Sequence, residues 1–358
     1  MRFRLCTVVL GVFHGMNLIL GIADAAATPV PPEIWEAFTA RQEAADSAEV
    51  RWTTQKMQGA ALIEQMKGNW SPEAASLQGD VPIPPAACRM VLWSALVRYE
   101  SQEALLAQGK AQELRPSINA YDGRRLQTLQ DSVVRGGQTT GFVKDAREFD
   151  EWRNIHLAGL MANLRPLRIF GRTPAEWTLE ARPEVIDGRS CVVIVQRETD
   201  KLSRRIYLDS ERDFVPLRIQ SEREDSVYAR SDMRYERTEE PRWVPSSWTA
   251  SFSQGGRLLT QTDNELTDVR LGLPVPKETF TVEYPKGALL TVVDGKGDRV
   301  MVVADDGEWV PYRQAAAEAT ANFGWPPWAM FLAGIGVAAL AVALLQWRRQ
   351  SVTSKLSA

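Results

Sequence analysis

From about residue 175 onward the chain is an almost unbroken series of short strand-like segments separated by short polar turns. The segment 204–219, RRIYLDSERDFVPLRI, shows the pattern. Ile206 and Leu208 alternate with polar neighbours before a short gap, and Leu217 and Ile219 do so after it. Alternation with period 2 is typical of a strand with one buried face. Consecutive strands joined by short turns run antiparallel, so this half of the chain predicts an antiparallel sheet without βαβ units.

The segment 204–219 itself predicts a β-hairpin. Its aliphatic side chains are expected to face an interior. Its charged side chains, Arg204, Arg205 and Asp209, are expected to lie on a solvated face and not to form a catalytic site, because charged residues are rarely buried.

Before residue 175 the pattern is mixed. The spacing of apolar residues predicts amphipathic helices over 33–46 and 144–164, and residues 103–114 also look helical. Residues 122–123, Asp-Gly, predict a tight hairpin turn. Residues 58–88 carry Gly, Pro and Ser and are interpreted as a loop insertion that can include a short helix at 60–67.

The first 25 residues have the organisation of a secretory signal peptide. MRFR is basic, an apolar stretch follows from Leu5 to Ile22, and Ala23-Asp24-Ala25 provides small residues for cleavage. This order of basic, apolar and small residues is the pattern of exported proteins. The alternative is an uncleaved membrane anchor at the same end.

Near the other end, residues 328–347 read WAMFLAGIGVAALAVALLQW without a charge. About 20 apolar residues in a helix span a ~30 Å hydrocarbon core. Arg348 and Arg349 follow at once, which places the tail 348–358 in the cytoplasm by the positive-inside rule. The sequence therefore predicts a body over 26–312, a linker over 313–327 and a single transmembrane helix in the inner membrane. A buried core helix is the alternative for 328–347.

The composition of the chain limits the kinds of partner and the cysteine chemistry that we expect. The formal net charge of −3 gives no basic surplus for nucleic acid, which is not an expected partner. Removal of the signal peptide leaves two cysteines, Cys88 and Cys191. In an exported domain they are either one disulfide or two buried thiols, and spacing alone does not decide between them.

No catalytic motif stands out. His156 is the only histidine after the signal peptide, and its place in a predicted helix favours a half-exposed side chain without a catalytic role. One histidine and two distant cysteines are too few for a zinc or transition-metal site. No glycine pattern for phosphates or dinucleotides is present. We therefore expect no enzyme activity, no metal and no cofactor.

The order of elements resembles that of the LolA/LolB-like superfamily of periplasmic lipoprotein-sorting proteins. The similarity lies in the N-terminal helix, AEVRWTTQ, YDGRRLQTL, DGRSCVVIVQRE and YLDSERDFVPLRI, over roughly 33–300. The resemblance implies an α+β fold, in which helices cover the concave face of a curved antiparallel sheet, an open half-barrel. It also implies a cavity for acyl chains. The insertion and the predicted tether depart from the soluble carriers, so shuttling between membranes is not implied.

Together with the absence of a catalytic motif, the resemblance implies a non-enzymatic envelope protein that binds lipid, acyl chains or lipoprotein in an apolar groove. The alternative is a membrane-anchored sensor or protein-interaction module with a packed core and an envelope protein as partner. Strand and helix parities predict the residues of the groove. They are Trp35, Phe38, Trp52, Trp152, Leu160, Ile206, Leu208, Leu217, Ile219 and Trp248, and Ile34 and either Val193 or Ile194 share their faces.

Overall fold

The computed structural model describes residues 28–69, 79–107, 110–131, 139–149, 155–171, 174–224, 226–237, 243–294 and 297–322. The helices are α1 Pro32–Ala44, α2 Ala60–Asn69, α3 Ile155–Leu164, α4 Pro166–Ile169 and α5 Tyr312–Asn322. The strands of the first half are β1 Thr28–Pro29, β2 Ser47–Gln58, β3 Val81–Pro82, β4 Ala86–Trp93, β5 Leu96–Ala107, β6 Lys110–Tyr121, β7 Arg125–Asp131 and β8 Thr139–Asp145. Those of the second half are β9 Trp177–Leu179, β10 Glu184–Ile186, β11 Arg189–Thr199, β12 Leu202–Asp209, β13 Val215–Arg223, β14 Ser226–Arg237, β15 Trp243–Gln254, β16 Arg257–Leu271, β17 Leu289–Asp294, β18 Gly297–Val303 and β19 Trp309–Pro311.

One sheet contains all of these strands. Its central order is β11-β12-β13-β14-β15-β16-β2-β4-β5-β6-β7-β8, and each neighbouring pair is antiparallel. β9 and β10 extend the first end, and β17, β18 and β19 extend the other. Among the described strands no pairing joins the two ends. The predicted antiparallel, open sheet is confirmed.

The helices α1, α3 and α4 pack together on one face of this sheet, which we call the inner face. Helix α3 lies across β13, β14 and β15. At Gly159 a β-carbon would lie 3.1 Å from the indole of Trp248, so the absent side chain lets the helix approach the strand closely. The main core forms between these helices and the strands, and it contains Phe38, Leu160 and Ile206, each fully buried.

The opposite, outer face carries ion pairs in place of a core. Arg218 on β13 lies 2.6 Å from Asp232 on β14. Glu49 on β2 lies 2.9 Å from Arg89 on β4. Alternating side chains thus give the sheet one apolar and one largely polar face, as the period-2 pattern predicts.

The last strands form a separate small core. Leu290 and Val303 are buried there with Ala288, and Tyr284 and Trp309 pack against them. β17 joins the main sheet through β8, and this pair is parallel, with Leu290 opposite Gly141. The prediction of purely antiparallel pairing is wrong at this one place, because about 140 residues separate the two strands and no hairpin constrains their direction.

Three predicted elements are wrong. The first part of the helix over 144–164 is wrong, since residues up to 145 pair as β8 and residues 146–149 are not helical; α3 covers Ile155–Leu164. Residues 103–114, interpreted as helical, belong to the β5–β6 hairpin, where cross-strand partners override local helix propensity. Residues 279–285, which fall in the half of the chain expected to be a series of strands, form the end of a 3-10 turn and an irregular segment. Their backbone groups bond to side chains instead: Arg98 donates to the carbonyls of Thr279 and Thr281.

Other local predictions are confirmed. Helix α1 covers the predicted segment 33–46 to within two residues. The turn between β6 and β7 falls at Asp122, whose carboxylate accepts the backbone N–H groups of Arg124 and Arg125 at 2.9 and 2.7 Å. Within the predicted insertion 58–88, α2 supplies the short helix, and β3 and the start of β4 follow.

The hairpin over 204–219 is present as β12 and β13, but its charged residues are not uniformly solvated. Arg205 is half-buried and lies 2.6 Å from Glu180. Asp209 is fully buried, 3.1 Å from Nη1 of Arg189, so its predicted solvent exposure is wrong. Its Oδ1 also accepts the backbone N–H of Glu211 at 3.0 Å. The carboxylate thus closes the turn internally, which alternation along a single strand does not reveal.

The signal peptide over 1–25 and the transmembrane helix over 328–347 lie outside the described residues. Within the part of the chain that the structure describes, no helix is both long and apolar enough to cross a bilayer. Helix α5 occupies most of the predicted linker, directly after β19.

Candidate functional site

A cavity of about 310 Å³ lies on the inner face beside the first turn of α3, and we call it the inner-face pocket. Four strands, the segment before β4 and helix α3 contribute to it. Its lining residues are Trp52, Thr54, Lys56, Ile83, Pro84, Ala86, Cys88, Tyr99, Ser101, Gln102, His156, Leu157, Thr262 and Asn264.

The register of the sheet brings these side chains together. On β2, Trp52, Thr54 and Lys56 alternate and therefore share one face. Trp52 pairs with Cys88 on β4, and Cys88 pairs with Ser101 on β5. On the other side of β2, Thr54 pairs with Asn264 and Lys56 with Thr262. Residues that pair across neighbouring strands project to the same face of the sheet. The pocket is therefore lined by adjacent side chains of four neighbouring strands.

One wall of the pocket is aromatic. The rings of Trp52 and Tyr99 stack with centroids 5.9 Å apart and planes 10° apart. Trp248 lies behind Trp52, with centroids 5.7 Å apart. Aromatic rings offer large apolar area with few rotatable bonds. This wall suits the hydrocarbon portion of a ligand.

The rest of the pocket is polar. The amide of Asn264 donates to the carbonyl of Trp248 at 3.1 Å, which fixes its orientation. The Ser101 hydroxyl is buried and has no hydrogen-bond partner. Lys56, which is half-buried, supplies a positive charge, and no aspartate or glutamate belongs to the described lining. The pocket therefore offers hydrogen bonds and one cation beside an apolar wall.

His156 stands in the first turn of α3 and faces the pocket. Burial and the nearby charge of Lys56 lower the pKa of its imidazole to about 4, so the side chain is neutral at physiological pH. No sequence pattern places His156 in a site, because a histidine within an apolar helix has the same pattern of neighbours when it lies in a core. Among the described lining residues there is no carboxylate to pair with this imidazole as in a Ser-His-Asp triad.

The predicted groove residues divide into two groups. Trp52 lines the inner-face pocket. Trp35 borders a separate, shallow cavity of about 530 Å³ along α1, together with Val30, Glu36, Glu43 and Pro174. One edge of Trp248 borders a polar cavity on the outer face.

The other predicted residues that the structure describes are closely packed in the main core. They are Phe38, Leu160, Ile206, Leu208, Leu217 and Ile219, all less than a tenth exposed, with Ile34, Val193 and Ile194 beside them. Trp152 lies outside the described residues. The assignment of these residues to ligand binding stays a prediction. Thr54, Lys56 and Asn264 were not among the binding residues predicted from the sequence. Thr54 and Lys56 could have been found, because they alternate with Trp52 along β2 and share its face.

The two cysteines are buried thiols on distant strands. Cys88 Sγ on β4 lies 3.8 Å from the Tyr99 hydroxyl, and Cys191 Sγ on β11 lies 3.6 Å from the carbonyl oxygen of Arg189. Strands β12, β13, β14, β15, β16 and β2 lie between them. Of the two alternatives that the sequence left open, the structure has the pair of thiols. Burial and the nearby charge of Asp209 raise the pKa of Cys191.

Over the described ranges, no three His, Cys, Asp or Glu side chains form a group suited to a metal ion. The inner-face pocket has a single histidine and a single cysteine and no carboxylate, which is a poor ligand set for zinc or calcium.

The fold is an open antiparallel sheet whose inner face is covered by helices. Solved structures with similarity to the chain include a LolA superfamily protein from Nitrosomonas europaea, with 13% identity over 69% of this chain and 98% of that chain, at a TM-score of 0.38. A DUF1329 family protein from Desulfovibrio piger has 9% identity over 71% and 98% of the two chains, at 0.37. MucB has 11% identity over 78% of both chains, at 0.27.

One of these solved structures is thus of a LolA superfamily protein. No protein-family model and no curated protein matches the chain. TM-scores below 0.5 denote loose superpositions, and the function proposed below rests on the residues of this chain.

Proposed function

We propose that the protein is a non-enzymatic envelope protein that binds an acyl chain of a lipid or lipoprotein in the inner-face pocket. The observation that carries this proposal is the division of the pocket into an aromatic wall of Trp52 and Tyr99 and a polar side with Lys56. Ligand pockets are typically apolar cavities of about 300–1,000 Å³ with a few polar groups that orient the ligand. Amphiphilic ligands match both halves.

The polar side sets the orientation of the ligand. With Lys56 as its cation and no carboxylate among the described lining residues, the pocket favours an anionic or dipolar head group near Lys56. The chain of the ligand then lies along Trp52 toward Leu157, which is fully buried. Neutral His156 contributes a hydrogen bond without adding charge repulsion to Lys56.

We further propose that this body is exported and tethered to the inner membrane by residues 328–347. The charge-free apolar stretch and the two arginines after it support this topology. Protease added to intact spheroplasts is then expected to digest the body and leave a small protected fragment. Survival of an intact 26–312 body would contradict the topology without bearing on the pocket.

The pocket is tested on the full chain purified in detergent. Lipids that co-purify are identified by mass spectrometry, and binding of a fluorescent fatty acid is measured for wild type and Ala86→Phe. Ala86 lines the pocket, so a phenyl ring fills it and is expected to weaken binding at least tenfold. The matched control is Ala87→Phe, because the neighbouring residue is exposed on the other face of β4.

Equal binding by both alanine variants, or no binding by wild type at micromolar probe, would overturn the acyl-chain proposal.

The alternative function, a membrane-anchored sensor or protein-interaction module, is supported by a second observation. A cavity of about 960 Å³ on the outer face is lined by charged residues of both signs, including Arg218, Arg230, Asp232 and Asp263. Crosslinking of a stable envelope protein to this face, without co-purifying lipid, would favour that alternative.

A further inference from the structure

A small cavity of about 70 Å³ lies away from the inner-face pocket, where α1 and α3 both end and the β12–β13 turn passes. We call it the Arg41 cavity. Its lining residues are Arg41, Ala44, Ala45, Asn163, Leu164, Asp213, Val215, Trp243, Val244 and Leu271. Most of these are apolar, so the few polar atoms that face the cavity decide what it can hold.

Arg41 brings a positive charge into this cavity. Its Nη2 donates to the carbonyl oxygen of Phe214 at 3.0 Å, and its guanidinium carbon lies 5.1 Å from the ring centre of Phe38. The other terminal nitrogen, Nη1, is buried and has no hydrogen-bond partner. Burial lowers the pKa of Arg41 to about 10, while Tyr235 and Asp213 act in the opposite direction. The side chain therefore stays charged at neutral pH, with one donor unused.

Asn163 supplies a second donor group. Its side chain is only 4% exposed, and its amide nitrogen lies near the Tyr235 hydroxyl but is buried without a hydrogen bond of ordinary geometry. Buried donors are nearly always satisfied in folded proteins, since an unmatched donor is costly. Two such donors on one cavity, one of them on a cation, indicate that an acceptor with negative charge belongs there.

Asp213 is the only carboxylate in the described lining, and it does not supply that acceptor. It lies in the turn between β12 and β13, at a positive φ of 51°, next to Phe214 at 54°. Its charge favours the charged form of Arg41, yet Nη1 of Arg41 remains without a hydrogen bond. The charge of Asp213 at the cavity also restricts the anion to one of low charge.

We propose that the Arg41 cavity binds a carboxylate group, held by Nη1 of Arg41 and the amide of Asn163. A cavity of 70 Å³ is about twice the ~30 Å³ share of one water, which suits a carboxylate with a methyl group such as acetate. It is too small for an acyl chain. The apolar side chains of Val215, Val244 and Leu271 would contact the methyl group. The carboxylate can belong to a free small acid or to the end of a peptide.

The test measures the melting temperature of the full chain in detergent, in sodium acetate and in sodium chloride of equal ionic strength. Acetate is expected to raise the melting temperature of wild type in a saturable manner, beyond chloride. Arg41→Gln removes the cation and is expected to lose this difference. The matched control is Arg51→Gln, since Arg51 is exposed on β2 and should leave it unchanged.

Asn163→Asp keeps the shape of the side chain and places a carboxylate in the cavity. It is expected to raise the melting temperature without acetate and to abolish the acetate response. This variant also decides the matter if Arg41→Gln does not fold. A second arm replaces acetate with Ala-Ala and with its C-terminal amide, and a response to the free acid alone indicates a peptide end.

An equal melting temperature of wild type in acetate, chloride and both peptides would show that the cavity holds only water. Retention of the acetate response by Asn163→Asp would likewise overturn the proposal. Neither result bears on acyl-chain binding in the inner-face pocket, on which this inference does not depend.

Discussion

The indole nitrogen of Trp248 on β15 donates a hydrogen bond of 2.7 Å to the carbonyl oxygen of His156 in the first turn of α3. The ring of Trp248 also packs on Trp52, and its carbonyl oxygen accepts a hydrogen bond from the side-chain amide of Asn264. The sheet therefore fixes the start of α3 at the border of the inner-face pocket.

Trp248→Phe should remove this hydrogen bond and leave most of the ring in place. We expect the free energy of unfolding to fall by about 0.5–1.5 kcal/mol for the bond itself, with a further loss from the smaller ring. Fatty-acid binding should weaken, because His156 and Leu157 are less firmly held. Urea unfolding and probe titration measure both effects. Trp93→Phe, at a residue 38% exposed, is the control, and an equal loss there would contradict the role of Trp248.

Leu217→Trp tests whether the second half of the sheet is packed. Leu217 is 5% exposed within the main core, so the larger ring must displace its neighbours. We expect the free energy of unfolding to fall by about 1–3 kcal/mol. Val185→Trp, at a residue 70% exposed, should change it little. If Leu217→Trp is as stable as wild type while fatty-acid binding is lost, the groove extends to this residue after all.

Asp209→Asn tests the buried carboxylate of the β12–β13 hairpin. The neutral amide loses the ion pair with Arg189 and must still satisfy the N–H of Glu211. We expect a loss of about 1.5–3 kcal/mol, the range for hydrogen bonds to charged groups. Asp268→Asn breaks a more exposed pair, with Arg270, and should cost under about 1 kcal/mol. Comparable losses in thermal unfolding would show that burial of Asp209 is unimportant.

His156 should make stability depend on pH. Its pKa is about 4 in the folded state and about 6.5 when unfolded, so the unfolded chain binds the proton more tightly. The contribution of neutral His156 is complete above pH ~6.5 and is lost progressively as the pH falls toward 4. His156→Gln should therefore show a shallower fall in melting temperature between pH 6.5 and 5. Parallel curves for the two proteins would contradict the shifted pKa.

Gly141 lies where β8 meets β17. A β-carbon there would lie 2.5 Å from the Tyr284 ring and 2.6 Å from Leu290, so Gly141→Ala forces the two strands apart. We expect a loss of about 1–3 kcal/mol and faster hydrogen exchange in β17 and β18. Gly188→Ala adds its carbon in open space at a positive φ of 78°, so it should cost stability only through backbone strain and leave exchange in β17 and β18 unchanged. Unchanged exchange in Gly141→Ala would contradict the close contact.

Much of the sheet could be predicted from the sequence because alternation is a local property. Ile206, Leu208 and Trp248 all lie on the buried face that their parity predicts. The helix expected over 144–164 failed because its first residues pair with β7 and β17, and such distant partners leave no local signal. The predicted solvent exposure of Asp209 was wrong for a related reason, since Arg189 and the following turn bury its carboxylate.

The candidate site could be predicted only in part. Trp52 was predicted to line the groove, and it lies on the face of β2 that borders the inner-face pocket, together with Thr54 and Lys56. Which part of a buried face is filled and which part stays open depends on where the helices rest. Helix α3 covers β13, β14 and β15, and its first turn stops beside β2, so the pocket lies where that cover ends. No pattern in the strands themselves encodes this position.

The parallel pairing of β8 with β17 also has a consequence for biosynthesis. β8 is complete at Asp145, but its outer partner spans Leu289–Asp294 and emerges much later during synthesis. Until then one side of β8 presents unpaired backbone groups, which are a template for association with other chains. A fragment that ends before residue 289 should therefore aggregate during expression, and a chaperone that shields β8 would act within this interval.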